Sequence, residues 1–192
     1  TLTKLLFRFY DAQQGVILID GQNICDVTQS SLRAALGIVP QDAVLFNDTL
    51  KNNLLYARES ATDEEIETVI RMAHLQTLIE QCPQGLDTLV GERGLKLSGG
   101  EKQRIAIARM LLKKPAIMVF DEATSSLDSR TERGIMQAIR EVSAGHTTLI
   151  IAHRLSTVVD ADSIAVLDQG QLAEQGTHAS LLARQGLYAR LW

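Results

Sequence analysis

Aromatic side chains make up only 4 % of the 192 residues, too few rings for a base-stacking surface. Cysteine is scarcer still. Cys25 and Cys82 lie far apart and in no Cys-x-x-Cys pair, so they read as reduced thiols of a cytosolic protein rather than as a disulfide framework. No apolar run approaches the length of a membrane span, and no signal-peptide pattern stands at the start. Charge of one sign is also lacking: 19 basic against 23 acidic residues give a formal net charge of −4, which offers nothing to a nucleic-acid backbone. There is no internal repeat, no low-complexity segment and no initiator Met. The chain opens on Thr1-Leu2-Thr3-Lys4, with Leu2, Leu5, Leu6 and Phe9 at i, i+3, i+4 and i+7, so an amphipathic helix is expected from the first residues to about Tyr10-Asp11. A domain that starts mid-helix without a cap looks cut.

What is present begins with Leu97-Ser98-Gly99-Gly100-Glu101-Lys102-Gln103. Ser98 and Glu101 have capping-box spacing, so a helix should start here. The residues after it, Ile105 to Leu112, are apolar on nearly every side, as in a buried helix. Two glycines let a ligand approach the backbone, and the free N–H groups of a helix start suit a phosphate. Alone, the stretch reads equally well as an ordinary capped core helix.

Elsewhere, Val16 to Ile19 reads as a strand ending in an Asp20-Gly21 turn, and Thr28 to Ala35 as a helix stopped by Gly37. Thr62 to Glu65 forms a second capping box ahead of an Ile66-Val69-Ile70-Ala73 stripe. Leu75 to Gln81 is a short helix, and Thr88 to Leu97 a loop. Ile135, Ile139 and Val142 line a further helix, and residues 178–184 and 187–192 look helical. Ile38-Val39, Ala116 to Phe120, Thr148 to Ala152 and Ile164 to Leu167 are apolar strands, with a short one at Gln171 to Ala173. Alternating strands and helices imply an α/β fold with a mainly parallel sheet.

Three of those strands end in polar residues that burial does not explain. Gln41 follows the first, Asp121 and Glu122 the second, His153 the third. Taken singly, Gln41 suits a turn, Asp121 a helix cap, and His153 a hydrogen-bonded strand end. Taken together, they put an amide, two carboxylates and an imidazole on the carboxyl edge of one sheet, where open α/β sheets hold ligands. The fitting chemistry is phosphoryl transfer to water. Asp121 would hold Mg²⁺ directly or through water, with the Gln41 oxygen completing the metal shell. Glu122 would polarise the water, and His153 would donate to the γ-phosphate.

These residues resemble the nucleotide-binding domain of ATP-binding cassette (ABC) transporters. Leu97 to Gln103 is similar to the signature motif, Ile117 to Asp121 to the Walker B strand, and Glu122 to the catalytic glutamate. Ser125-Ser126-Leu127-Asp128 resembles the D-loop, Gln41 the Q-loop glutamine and His153 the switch histidine. The match in order and spacing covers essentially all of the chain. Thr88 to Gly94, Gly176-Thr177-His178 and Gly186 to Trp192 are exporter-like. Asp26 to Gln29, Gly94 to Leu97 and Leu155 to Asp162 look most like the mitochondrial and bacterial branch tied to glutathione, metals and iron–sulfur metabolism.

The resemblance implies a P-loop NTPase (ABC ATPase) fold. Residues 1–46 and 113–192 would form a RecA-like core, and about 47–112 an inserted α-helical subdomain with the signature. It implies an ATPase with ATP and Mg²⁺ as cofactors, coupling head-to-tail dimerisation with a second such domain, as a homodimer, to export through a membrane domain upstream on the same chain. No nucleic acid partner is implied. The place is the cytoplasmic face of a bacterial inner membrane or the matrix side of the mitochondrial one. Glu122 and His153 would be catalytic. Thr1, Gln41, Ser98, Gly99, Gly100, Gln103, Asp121 and Asp128 would be nucleotide-binding, the signature residues in trans, and Asp128 would relay between sites. Gln41 and Asp121 would serve the metal.

Other readings compete. An ABC-type ATPase of DNA repair or chromosome maintenance would carry a long coiled coil between Gln41 and Ser98, and no heptad array stands there. A regulatory ABC domain would be expected to have lost Glu122, His153 or the signature. An importer subunit fits the Gly91-Glu92-Arg93-Gly94 loop poorly. One departure from the family is large: the sequence holds no Gly-rich loop with a Lys, and Thr1 matches the threonine that follows that loop in the family. The N-terminal strands and the primary grip on the phosphates are therefore expected to lie before Thr1. The purified 192-residue chain should accordingly show no MgATP hydrolysis above background in a phosphate-release assay. Measurable turnover would refute this.

Overall fold

The computed structural model describes residues 1–124, 129–152 and 154–192. They fall into two compact units, Thr1–Ile151 and Ala152–Trp192. In the first unit, in chain order, stand α1 (Leu2–Leu6), β1 (Leu18–Ile19), β2 (Gln22–Asn23), α2 (Gln29–Ala35) and β3 (Leu36–Val39). Then come β4 (Asp48–Thr49), α3 (Leu50–Leu55), α4 (Asp63–Met72), α5 (Gln76–Gln81) and β5 (Leu89–Val90). The unit closes with α6 (Gly99–Lys113), β6 (Ile117–Asp121), α7 (Ser129–Ser143) and β7 (Thr147–Ile151).

Its centre is a parallel three-stranded sheet in the order β3-β6-β7, with Val39 opposite Phe120 and Phe120 opposite Ile150. Leu36, Val39, Met118, Val119 and Phe120 are buried, because helices and loops cover a parallel sheet on both faces. The main apolar cluster joins β3 and β6 to α3, α4, α6 and α7. Helix α6 is buried around most of its circumference, with Ile105, Ile107, Ala108 and Leu112 sealed. Ile135, Ile139 and Val142 form the buried stripe of α7.

Several local expectations meet a tertiary reason to differ. Helix α1 ends at Leu6, well before Tyr10. Arg8 is left-handed (φ 50°), and its guanidinium donates to the carbonyls of Ile24 (3.0 Å) and Val27 (2.9 Å). That turn sends Phe9 out to 61 % exposure, and the buried face becomes Thr3 and Phe7. Gly37 does not stop α2. Leu36 is already extended and fully buried in β3, and Gly37 follows it because a Cβ there would lie 2.6 Å from Pro115 Cγ and 2.7 Å from Met110 Cγ. The stretch before Leu97, expected as a loop, contains β5, which pairs antiparallel with β4 (Asp48 opposite Val90). Pairing over two residues leaves no periodicity to read. The Asp20-Gly21 turn is as expected, with both φ positive (50° and 77°), the I′ geometry that suits a tight hairpin.

The second unit holds β8 (Ile164–Asp168), β9 (Gln171–Gly176), α8 (His178–Ala183) and α9 (Leu187–Leu191). The Ile164 strand pairs antiparallel with β9, and β9 runs three residues beyond Ala173 to Gly176. Leu181 and Tyr188 pack on Ile164 and Val166. The Glu174 carboxylate accepts from the N–H groups of Leu187 (2.6 Å) and Tyr188 (3.0 Å), closing the start of α9. Among the described residues, no helix is long and apolar enough to cross a membrane.

Glu65 is the main junction of the helical region. It closes the capping box with Thr62 (Thr62 N–H to Oε2, 3.0 Å) and pairs with Arg58 and with Lys114 (2.6 Å) just past α6. These partners, Arg58 and Lys114 first, hold its carboxyl at about 2, below the ordinary 4.5. A depressed carboxylate contributes stability above its unfolded pKa and loses it as pH falls through the folded one. The melting-temperature gap between the wild type and Glu65→Gln should therefore be full above about pH 5 and shrink steadily towards pH 2. A gap that stays constant over that range would show that the charge of Glu65 does not stabilise the fold.

Candidate functional site

The parallel order β3-β6-β7 brings the carboxyl ends of three strands side by side, and each end feeds a candidate residue. Beyond Val39 come Pro40 and Gln41, with the Gln41 side chain exposed. Asp121 closes β6 opposite Ile151 and is half-buried. Glu122 extends that ladder by donating its N–H to Ile151 O (2.9 Å) while its own φ is 52°. A glutamate held in the left-handed region is backbone strain at the mouth of a sheet, a place where such strain accompanies function. His153 and the Ser125-Ser126-Leu127-Asp128 stretch lie outside the described residues.

Thr3 was not singled out from sequence, yet its Oγ1 donates to Asp121 Oδ2 at 3.0 Å, and it is buried. The one signal was a hydroxyl four residues before Phe7, on the face that turns inward. Thr1 is exposed, at the cap position of α1, with no side-chain capping bond. Together Asp121, Thr3 and the exposed Gln41 amide supply hard oxygen donors, the set that suits Mg²⁺ with most of its waters retained. Among the described residues there is no group of three or more His, Cys, Asp or Glu side chains that could hold a metal ion.

The second part of the site is the start of α6. Ser98 is the cap residue: its N–H and Oγ both donate to Glu101 Oε2 (2.6 and 2.7 Å), and Glu101 N–H donates back to Ser98 Oγ (3.3 Å). Ser98 and Gly99 are exposed, whereas Gly100 is buried. A Cβ on Gly100 would lie 2.2 Å from Thr131 Cγ2 on α7, so the second glycine is required by helix packing. Gln103 does not face the helix start. It is 3 % exposed, and its Nε2 donates to Pro40 O (3.1 Å) and Gln41 O (2.6 Å).

Farther along α6, Arg109 donates to Asn53 O (2.7 Å) and Val44 O (2.6 Å) and lies 5.5 Å from the Phe46 ring centre. Lys113 Nζ donates to Arg33 O (2.6 Å) and Leu36 O (2.7 Å). Burial pushes the pKa of both cations down, and carbonyl dipoles take the place of water around them. The signature helix is thus bonded to the backbone of the segment that carries Gln41.

Comparison with known proteins agrees with this fold. The family profile described as ABC transporter matches residues 1–125. The chain belongs to the ABC transporter family. An ATM1-type heavy metal exporter of Novosphingobium aromaticivorans is 61 % identical to it over 192 residues, all of this chain and 32 % of that protein. The human mitochondrial iron-sulfur clusters transporter ABCB7 is 58 % identical over 193 residues, again all of this chain and 26 % of that protein. A solved structure of a bacterial Atm1-family ABC exporter with ATP bound superposes with a TM-score of 0.92 at 60 % identity, covering the whole chain and 33 % of the other. The chain thus spans about a quarter to a third of the length of these relatives. It is an ABC ATP-binding domain of the Atm1 and ABCB7 exporter type, and these relatives speak against the DNA-repair and chromosome reading.

The packing role of Gly100 can be separated from any ligand role. Gly100→Ala should destabilise the chain by about 1–3 kcal/mol through overpacking. Adding Thr131→Ser, which removes the opposing methyl, should recover most of that loss in a thermal melt. If the second change restores nothing, the Gly100–Thr131 contact is not what excludes a side chain.

Proposed function

We propose that this domain binds and hydrolyses ATP within a membrane exporter, and that head-to-tail closure of two such domains drives export. The observation that carries this is the delivery of Gln41, Asp121 and Glu122 to one carboxyl edge by two adjacent parallel strands, β3 and β6. Asp121, oriented by Thr3, and Gln41 hold Mg²⁺, which supplies charge neutralisation for the transferring phosphoryl group. Glu122 polarises the attacking water, and its strained backbone fixes where its carboxylate emerges. His153 donates to the γ-phosphate. Thr1, at the cap position of α1, serves the nucleotide as well.

The signature residues Ser98, Gly99 and Gly100 serve the nucleotide of the partner domain, and Asp128 relays between the two sites. Gln103 is assigned to the same stretch by resemblance, and its burial directs it to a different task, argued below. The partner is a second copy, and a membrane domain is the other. Exposed Val44 and Phe46 on the segment after Gln41, and Tyr56 at the end of α3 with its ring centre 4.3 Å from that of Phe46, offer an apolar seat for that membrane domain, together with the Gly91 to Gly94 loop. The division into a core of residues 1–46 and 113–192 and a helical part of about 47–112 belongs to the same proposal. So does a location on the cytoplasmic or matrix face of a membrane.

In the exporter carrying this domain, Glu122→Gln should lower ATP turnover by a factor of about 100 or more while MgATP still closes the dimer. Wild-type turnover in that variant would remove Glu122 from the role of base.

A further inference from the structure

Five residues into α6, about 7.5 Å along the axis from Ser98, sits an amide where the neighbouring buried positions are Ile105, Ile107, Met110 and Leu112. The two carbonyls that Gln103 Nε2 reaches, Pro40 O at 3.1 Å and Gln41 O at 2.6 Å, fix which way the amide faces. Turned over, Oε1 would meet two acceptors. Oε1 itself is buried without a hydrogen-bond partner among the described residues. An unmatched buried acceptor is a cost that an apolar side chain would avoid. What offsets it is a direct bond from the signature helix to the two residues that follow β3.

Those residues stand at a defined place. Val39 is in register with Phe120, so Pro40 and Gln41 leave the sheet beside Asp121. The other end of the segment is held on the same helix by Arg109, through Val44 O. Gln41 is therefore attached to α6 by its backbone while its side chain stays exposed. Resting on the function proposed above, we infer that Gln103 is a positioning residue: through the backbone of Gln41 it sets where the Gln41 amide stands relative to Asp121. The helix whose first turn serves the partner's nucleotide is thereby joined to the metal side of its own site.

The test is steady-state MgATP hydrolysis by the exporter carrying this domain, in four forms: wild type, Gln41→Ala, Gln103→Met and the double variant. Methionine keeps the length and fills the space without a donor. Gln103→Met should lower kcat about ten-fold and change KM for MgATP less than about two-fold, the pattern of an interaction that matters in the transition state. The double variant should be no slower than Gln41→Ala, because the two residues act as one unit. Gln103→Glu adds an independent readout that also serves if the methionine form does not fold. A carboxyl buried against two carbonyls has a raised pKa and regains a donor when protonated. Its kcat relative to wild type should rise as pH falls from about 8 to about 6. Losses that multiply in the double variant, a Gln103→Met effect confined to KM, or a flat pH ratio for Gln103→Glu would each overturn the inference. Wild-type turnover in Gln41→Ala would defeat the reading of Gln41 itself, and this inference with it.

Discussion

The structure of the first unit depends on three long side chains of one helix that donate to backbone carbonyls between residues 33 and 53, several of them on the irregular stretch 40–47. Gln103, Arg109 and Lys113 rise in order along α6 and between them bond the carbonyls of Arg33, Leu36, Pro40, Gln41, Val44 and Asn53. The segment needs them. Residues 40–47 carry no helix or strand, so their carbonyls have no ladder to join. The helix needs the segment as well. Arg109 and Lys113 are partly buried cations, and a desolvated cation is tolerable only where strong acceptors replace its water. Carbonyl dipoles do this without a neutralising carboxylate, so the bonds do not depend on the titration of an acid.

The site follows from that attachment. Strand β3 is fixed laterally by its register with β6, and the loop after it is fixed from below by α6, so the exit of Gln41 is doubly determined. Asp121 is fixed by the sheet on one side and by the Thr3 hydroxyl on the other. Glu122 takes a left-handed turn while its N–H still completes the ladder to Ile151. A conformation that costs of order 1–3 kcal/mol persists only where the surroundings over-determine it, and the β6–β7 pairing together with buried Ala123 and Thr124 does so here.

What could be read from sequence was what is local. Both capping boxes, at Thr62 and Ser98, form as their spacing says, because a cap involves residues three apart. The apolar strands β3, β6 and β7 were legible because burial on both faces leaves a continuous hydrophobic run. The candidate edge came with them, since parallel strands in one sheet must end together. What escaped was decided by neighbours distant in the chain. Gly37 looked like a helix stop and is a clearance for Pro115 and Met110. Phe9 looked like the last rung of an apolar stripe and is turned outward by a bend that Arg8 holds to Ile24 and Val27. The pairing of β4 with β5 is too short to leave a pattern, and the place of Thr3 four residues before Phe7 does not name its partner Asp121, more than a hundred residues on.

The signature stretch shows why a motif that looks dedicated to a ligand need not spend all its residues on one. Ser98 and Gly99 are exposed, and Glu101 holds the Ser98 hydroxyl and N–H in one defined arrangement. Gly100, by contrast, is set by Thr131, and Gln103 by Pro40 and Gln41. The outward half of the motif can present a fixed surface only if the inward half is immobile. A glycine that allows α7 to pack closely, and an amide bonded to a loop, are two ways of securing that. The same bonds make the start of α6 and the Gln41 loop one mechanical piece.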